Sequence, residues 1–417
     1  MTRRIIFFLL TLFFSNLTIG QTVTETLPPY NIKTITFKVA GNNVIPIFRL
    51  GDQFQFGFDD LFGNEEDYYF VITHHNYNWT PSELSKSEYM DGMDNQRIQD
   101  YENSFNTLQI YSHYRLNIPN NLLRITKSGN YLISVYNSDR ELVFSRKFIL
   151  YEDIAEVPMK VKRARNVADN RYKQNLEFSI TSKNILFQNA NQNVKVLLLQ
   201  NGRWDNAIVN IKPQYTMGND LLFKYDKETQ FYAGNEYLNF DNKDIRAVTN
   251  NIAAIDSDKG LYNAHLYTDY GRKFKPYTYY PDINGNFFVR NLRAENNDVE
   301  ADYSWVYFTL FSTETPANSN IYITGIFNNN QLSSENKMDY NPERGIFEKA
   351  LLIKQGFTNY NYTLLDAQNN IVEKDAIDGN FYETENQYTA VVYYRANGER
   401  YDRVIGKGDA NSVNITN

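Results

Sequence analysis

Apolar and polar residues alternate at a period of two along most of this chain, and turn signals interrupt the pattern every few residues. Ile35, Phe37 and Val39 fall on one face, as do Phe54, Phe56 and Phe58, then Tyr131, Ile133 and Val135. Val194, Val196 and Leu198 repeat the pattern, and Tyr388, Ala390, Val392 and Tyr394 close it. Successive side chains of a strand point to opposite faces, so each set reads as a half-buried strand with a polar reverse side. Asn201-Gly202, Asn284-Gly285, Asp378-Gly379 and Asn397-Gly398 supply residues that accept the positive φ of type I′ turns. No apolar stripe of helical period persists; one helical turn is expected within 81–90, with Pro81 placed to start it. The expected fold is all-β, built as tandem β-sandwiches of immunoglobulin-like or early-set type.

Composition agrees and narrows the function. Aromatics make up 15% of the chain, with 33 Tyr and 28 Phe. Both residues favour pleated, half-buried surfaces, and Tyr is also frequent at protein interfaces. There is no cysteine, which excludes disulfides, thiol nucleophiles, thiolate metal sites and a lipid-modified Cys anchor. With 42 basic against 49 acidic side chains, the chain carries no general attraction for nucleic acid, which demands clustered Lys and Arg. Residues 1–20 read as a secretory signal peptide. Arg3 and Arg4 precede an apolar run at 5–14, and the small residues Thr18 and Gly20 precede Gln21. That run is too short to span a bilayer. An exported, unanchored, disulfide-free chain is expected in a bacterial periplasm.

Three modules are expected after the signal: a first sandwich at 21–154, a middle one at 158–270 and a third at 274–405, with a frayed tail at 406–417. The basic stretch KVKRAR at 160–165 reads as a linker or an entering edge strand. No repeat of fixed period suggests a propeller or solenoid.

Motifs that carry chemistry are scarce. His74 and His75 are adjacent, so on a strand they face opposite ways and do not share one metal. Hydrogen-bonded structural roles are expected for them and for His113. Asp59-Asp60, with Glu65, Glu66 and Asp67 nearby, are expected in solvated, Gly-rich turns rather than as a catalytic carboxylate pair or a calcium loop. Phosphate loops, nucleophile elbows, His-Glu-x-x-His pairs and dinucleotide fingerprints are absent from the sequence. The expectation is a protein that is not an enzyme and uses no cofactor or metal. Trp79, in NYNWTPSELS at 76–85, either closes the open end of the first sandwich or anchors a partner.

Two blocks bracket nearly the whole mature chain. They are IPIFRLGDQFQFGFDDLFGNEEDYYFVITHHNYNWTPSELSKSEYMDGMDNQRIQDYENSFNTLQIYSHY at 45–114 and YTAVVYYRANGERYDRVIG at 388–406. Together they resemble the plug-protein family of the type IX secretion system of Bacteroidetes. The resemblance implies a soluble periplasmic protein that reversibly occludes the periplasmic opening of the outer-membrane translocon barrel when no cargo is in transit. The barrel is then the implied partner, with no nucleic acid, small-molecule substrate or membrane insertion of its own. From these blocks come the candidate contact residues Arg49, Asp52, His75, Asn78, Trp79, Tyr89, Tyr111, Tyr114, Arg400 and Tyr401. A second likeness runs through 321–366, which is similar to the early-set sandwich of glycogen-binding modules. Gly325, Phe327 and Asn328 keep that family's turn, but Asn329 and Asn330 follow where a sugar-stacking aromatic would stand. The alternative expectation is a periplasmic or surface glycan-binding protein.

Overall fold

The computed structural model describes residues 23–417 apart from 250, 259, 314, 317, 414, 416 and 417, so the signal segment lies outside the described residues. The described chain is built of strands with a few single helical turns, and the all-β expectation holds. The expected turn near Pro81 appears at Lys86–Tyr89, where the Ser85 backbone N–H donates to Glu88 Oε2 at 2.8 Å. Both residues of Asn201-Gly202 and Asn284-Gly285 have positive φ, as a type I′ turn requires; at the other two pairs only the glycine does.

The first sandwich packs two five-stranded sheets. One runs in the order Asn42–Asn43, Ile32–Val39, Phe54–Asp60, Ser112–Ile118, Asp100–Asn103. The other runs Ile47–Arg49, Leu142–Tyr151, Gly129–Tyr136, Tyr69–His75, Gln96–Arg97. Between them Phe37, Phe54, Phe56, Phe58, Phe144 and Phe148 form an aromatic core, with Phe48 stacked on Phe54 at 4.1 Å. The alternation of Phe54, Phe56 and Phe58 places all three inward.

The middle sandwich is discontinuous in sequence. Its first sheet orders Met159–Arg163, Lys173–Ile180, Asp220–Phe223 and Tyr215–Met217. Its second joins Ile208–Val209 and Val194–Gln200 to the closing hairpin Gln387–Tyr394 and Arg403–Asn411. Seven consecutive residue pairs zip Val194–Gln200 onto Tyr388–Tyr394, and Val196, Leu198, Tyr388, Val392 and Ile405 share one core. The expected third module at 274–405 is corrected accordingly, since its last strands belong to the middle body. The expected frayed tail at 406–417 is corrected as well: residues through Asn411 are paired, and the Ser412 hydroxyl donates to the Thr384 carbonyl at 2.7 Å.

The third sandwich has one sheet of Ile252–Asp258, Leu261–Leu266, Tyr303–Phe311, Ile346–Lys354 and Asp339–Asn341, with Asp269–Tyr270 beside it. Gly356–Leu365 organises the other, pairing with Leu238–Asp241, Phe287–Val289 and Asn320–Thr324. Phe240, Val306, Phe308, Ile323 and Leu351 fill the space between.

The expectation of half-buried strands fails for at least two of the sets. Leu132 and Ser134 are buried as well as Tyr131, Ile133 and Val135. Likewise Leu197 and Leu199 are buried alongside Val196 and Leu198. Leu197 and Leu199 join Ile47, Ile149, Val391, Tyr393 and Val404 in an apolar junction between the first and middle bodies.

Candidate functional site: the polar junction of the first and third sandwiches

Asp59 sits near the end of Phe54–Asp60, on the face turned away from the first core. Adjacent strand residues diverge, so Asp60 points inward and accepts from the Tyr68 hydroxyl at 2.9 Å and the Asn31 amide at 2.8 Å. Asp59 instead meets the third sandwich. Its Oδ2 accepts from Lys354 Nζ at 2.7 Å and from the Tyr303 hydroxyl at 2.6 Å, and its Oδ1 faces His113 Nδ1 at 2.6 Å. Both Asp59 and Asp60 are fully buried, which corrects the expectation that water solvates this pair. The third sandwich supplies the covering that no local sequence signal announces.

The network extends outward from Asp59. Lys354 Nζ also donates to the Asp298 carbonyl at 2.6 Å and lies 4.0 Å from the centre of the Tyr111 ring. Lys38 Nζ holds Asp298 Oδ1 at 2.5 Å, and the Tyr111 hydroxyl donates to the Ala301 carbonyl at 2.8 Å. Burial alone would raise the Asp59 carboxyl, but the Lys354 ammonium and His113 outweigh it and hold it at about 2. The acid is therefore ionised across the ordinary pH range, inside a site where an unpaired charge is costly. Thr34 Oγ1 lies 2.5 Å from the Tyr303 hydroxyl. It reaches there from a bulge in Ile32–Val39, with a φ of 50° that β-branched residues rarely adopt. Backbone strain and buried charge thus coincide at this junction.

Asp59 is enclosed by three partners, and no group of three or more His, Asp or Glu side chains able to hold a metal occurs among the described residues. What the geometry does is fix one sandwich on another.

The candidate contact residues divide sharply by exposure. Arg49, Asp52, Asn78 and Arg400 are exposed. Arg400 pairs with Glu88, and Asn78 Oδ1 accepts from the Thr80 hydroxyl at 2.7 Å. His75, Trp79, Tyr89, Tyr111, Tyr114 and Tyr401 are buried, which takes them off the surface a partner would touch. Tyr114 stacks on Phe58 at 5.0 Å, and Tyr111 packs edge-on against Tyr303 at 5.5 Å. His75 Nδ1 faces the Trp79 carbonyl at 3.3 Å. Trp79 meets Trp204 of the middle sandwich edge-on at 5.5 Å, with Lys147 Nζ 4.4 Å above its ring. It is an anchor, but between modules of its own chain.

The second likeness also changes meaning here. The turn at Gly325–Asn328 is tucked against the N-terminal segment, and the Asn329 amide donates to Glu25 Oε2 at 2.6 Å. Residues 326–330 are half-buried there.

Residues 32–152, the first sandwich that carries Asp59 and His113, match the family profile described as "Type 9 secretion system plug protein 1st domain". The chain belongs to the type 9 secretion system plug protein family. Beyond that span the plug-family chain aligns with the crystal structure of a hypothetical protein from Parabacteroides merdae ATCC 43184. The two are 34% identical, and the match covers 93% of this chain and 98% of that one at a TM-score of 0.88. The three N-terminal domains of the outer capsid protein Hoc from bacteriophage RB49 match at 12% identity over 90% of this chain and 96% of that one, with a TM-score of 0.15. Salmonella α2-macroglobulin reacted with methylamine matches at 9% identity over 94% and 24%, with a TM-score of 0.19. Neither score indicates a common fold. No curated protein matches. Lys354 and Tyr303, which complete the buried network, lie outside the matched span of the plug family and 295 and 244 residues from Asp59.

Proposed function

We propose that this protein is a periplasmic, non-enzymatic plug that reversibly occludes the periplasmic opening of the type IX outer-membrane translocon barrel. The observation that carries the reading is the family match over the first sandwich. Occlusion is a steric task, and it requires a body that does not flex apart under load. The apolar junction around Leu197, Leu199, Val391 and Tyr393 and the charged junction around Asp59 supply that stiffness. Of the contact candidates, the proposal keeps the exposed Arg49, Asp52, Asn78 and Arg400. A polar contact set of this kind suits an interface that must separate again.

One observation favours a second reading, glycan binding. On one strand, Tyr303–Phe311, Trp305 is exposed and Tyr307 stacks on His265 at 4.5 Å and 20°. Affinity capture of the tagged mature protein from solubilised envelopes, with mass spectrometry of what it retains, decides between them. The plug reading expects a very large outer-membrane barrel, recovered in a form that lacks the cargo-shuttle protein. Absence of any barrel, together with binding on a glycan array that Trp305→Ala abolishes, would transfer the case to the second reading.

A further inference from the structure

Between the first and third sandwiches lies a cavity of about 180 Å³. Ile32, Ile35 and Phe37 wall it from the first sandwich, and Phe287, Phe327 and Ile353 from the third. One buried basic side chain in this wall has little to hold its charge beyond the Phe144 ring, whose centre lies 5.7 Å from the guanidinium carbon. Arg146 is carried on the inward face of Leu142–Tyr151, between Phe144 and Phe148, and is only 7% exposed. Among the described residues it makes no ion pair, and its one hydrogen bond runs from Nη1 to the neighbouring Ser145 carbonyl at 2.8 Å. A guanidinium has five N–H donors, and a buried cation left without an anion is among the costlier features a fold can keep. Burial pulls the Arg146 pKa down, and the nearby Glu25 carboxylate offsets this only in part.

Neither carboxylate of the cavity wall hydrogen-bonds Arg146, and each has other partners. Glu25 Oε1 accepts from the Lys147 backbone N–H and Oε2 from the Asn329 amide, both at 2.6 Å. Glu335 pairs with Lys33. By contrast the buried Lys354 has Asp59 as its counter-ion, and the half-buried Arg272 has Asp378 at 2.8 Å.

We propose that this cavity is a binding site for a small apolar carboxylate, its acid group held by Arg146 and its body lodged among the apolar walls. Guanidinium and carboxylate match as a two-point hydrogen-bonded pair, which selects an acid over a neutral isostere. The volume sets the size of the body. A cavity of roughly 150 Å³ lined by Leu, Ile and Phe accommodates a benzene ring, so one aromatic ring or a short aliphatic chain fits here. Two sources present that chemistry, a free acid and the C-terminal residue of a peptide. The site does not depend on the plug reading, because it lies inside the chain's own body.

The test uses the full mature protein and three probes: 3-phenylpropionate, its uncharged amide, and N-acetyl-glycyl-phenylalanine as a peptide C-terminus. Binding is followed by titration calorimetry and by thermal shift. The proposal expects saturable binding of at least one acid, weakening of that binding by about tenfold or more in Arg146→Met, and weaker binding of the amide by a similar factor. Which acid binds more tightly identifies the source. Ile35→Trp, which fills the cavity from a partly exposed wall position, is expected to abolish binding while leaving the melting temperature near that of the parent. If Arg146→Met does not fold, the amide comparison and Ile35→Trp decide alone. The proposal is overturned if neither acid binds saturably, if the amide binds as tightly as the acids, or if Ile35→Trp leaves binding intact.

Discussion

At the scale of single residues, the Asp59–Lys354 pair is where the molecule has most to lose. Both partners are buried and lie 2.7 Å apart. Removing one leaves the other charge unpaired in a dry site, which costs about 3–5 kcal/mol. Lys354→Met should therefore be strongly destabilising in urea denaturation. Combining it with Asp59→Asn should recover part of the loss, because no charge is then stranded and the amide still accepts from Tyr303. Additive effects of the two substitutions, with no coupling beyond about 0.5 kcal/mol, would show that the pair is not the unit described. His74 provides a separate test by pH. Its Nε2 faces the Ser128 carbonyl at 3.1 Å and its Nδ1 the Ser82 hydroxyl at 2.7 Å, an arrangement that suits a neutral ring with one donor and one acceptor. Burial lowers its pKa from 6.5 to about 4. The unfolded chain then binds more protons than the folded one between those values, so this contribution is complete above pH 6.5 and is lost as pH falls towards 4. The full loss amounts to about 3 kcal/mol. Asp269, raised by burial to about 6, and Asp282, raised by burial to about 7, act in the opposite sense over part of this range. The test is therefore the difference between the parent and His74→Gln, which should shrink on going from pH 7 to pH 4.5. A difference that does not change with pH removes His74 from the account.

At the scale of elements, the closing strand Arg403–Asn411 depends on close backbone approach. A Cβ at Gly408 would stand 2.2 Å from the Val157 carbonyl oxygen, so the segment before Met159–Arg163 passes directly over this glycine. Gly408→Ala should push the two apart and cost about 1–3 kcal/mol, as overpacked interior positions do. Faster amide hydrogen exchange should be confined to 154–163 and 403–411. Unchanged protection in both segments would contradict the contact. The closing hairpin was legible in sequence as alternating residues around an Asn-Gly turn, but its partner was not. Alternation says which face of a strand is buried and is silent about which strand lies beside it, so sequence alone places Val194–Gln200 and Gln387–Tyr394 in different modules. The same limit hid the site. Phe54, Phe56 and Phe58 announce the inward face correctly, which leaves Asp59 on the outward face, where water is the default neighbour. Only the third sandwich, arriving almost three hundred residues later, makes that face an interior. For Leu197 and Leu199 a signal was present, since the unbroken apolar run in VKVLLLQ marks burial on both faces. The adjacent aromatics Trp79 and Trp204 carried no such mark, and their contact is visible only in three dimensions.

At the scale of the whole molecule, the chain returns from the third sandwich to finish the second, and this makes the two bodies interdependent. Without residues beyond 380, Val194–Gln200 keeps only the two-residue strand Ile208–Val209 as a neighbour, and Tyr388, Ala390, Val392 and Ile405 vanish from the middle core. The junction with the first sandwich loses Val391, Tyr393 and Val404 at the same time. The first sandwich keeps its own continuous core, whose members run from Ile32 to Leu150. A chain ending at residue 380 should therefore retain a protease-resistant fragment covering 32–152 while 155–231 is cleaved rapidly, as mass spectrometry of a limited digest would show. Adding a peptide of residues 381–417 should restore protection to the middle body, because the missing hairpin supplies both its sheet edge and its apolar face. Protection of 155–231 equal to that of the full chain in the truncated protein would mean that the middle sandwich stands without its last two strands. In the plug reading the consequence is direct: a truncated chain whose middle sandwich is unfolded presents a smaller folded body, and it should fail to occlude the opening even where the family-defining module is intact.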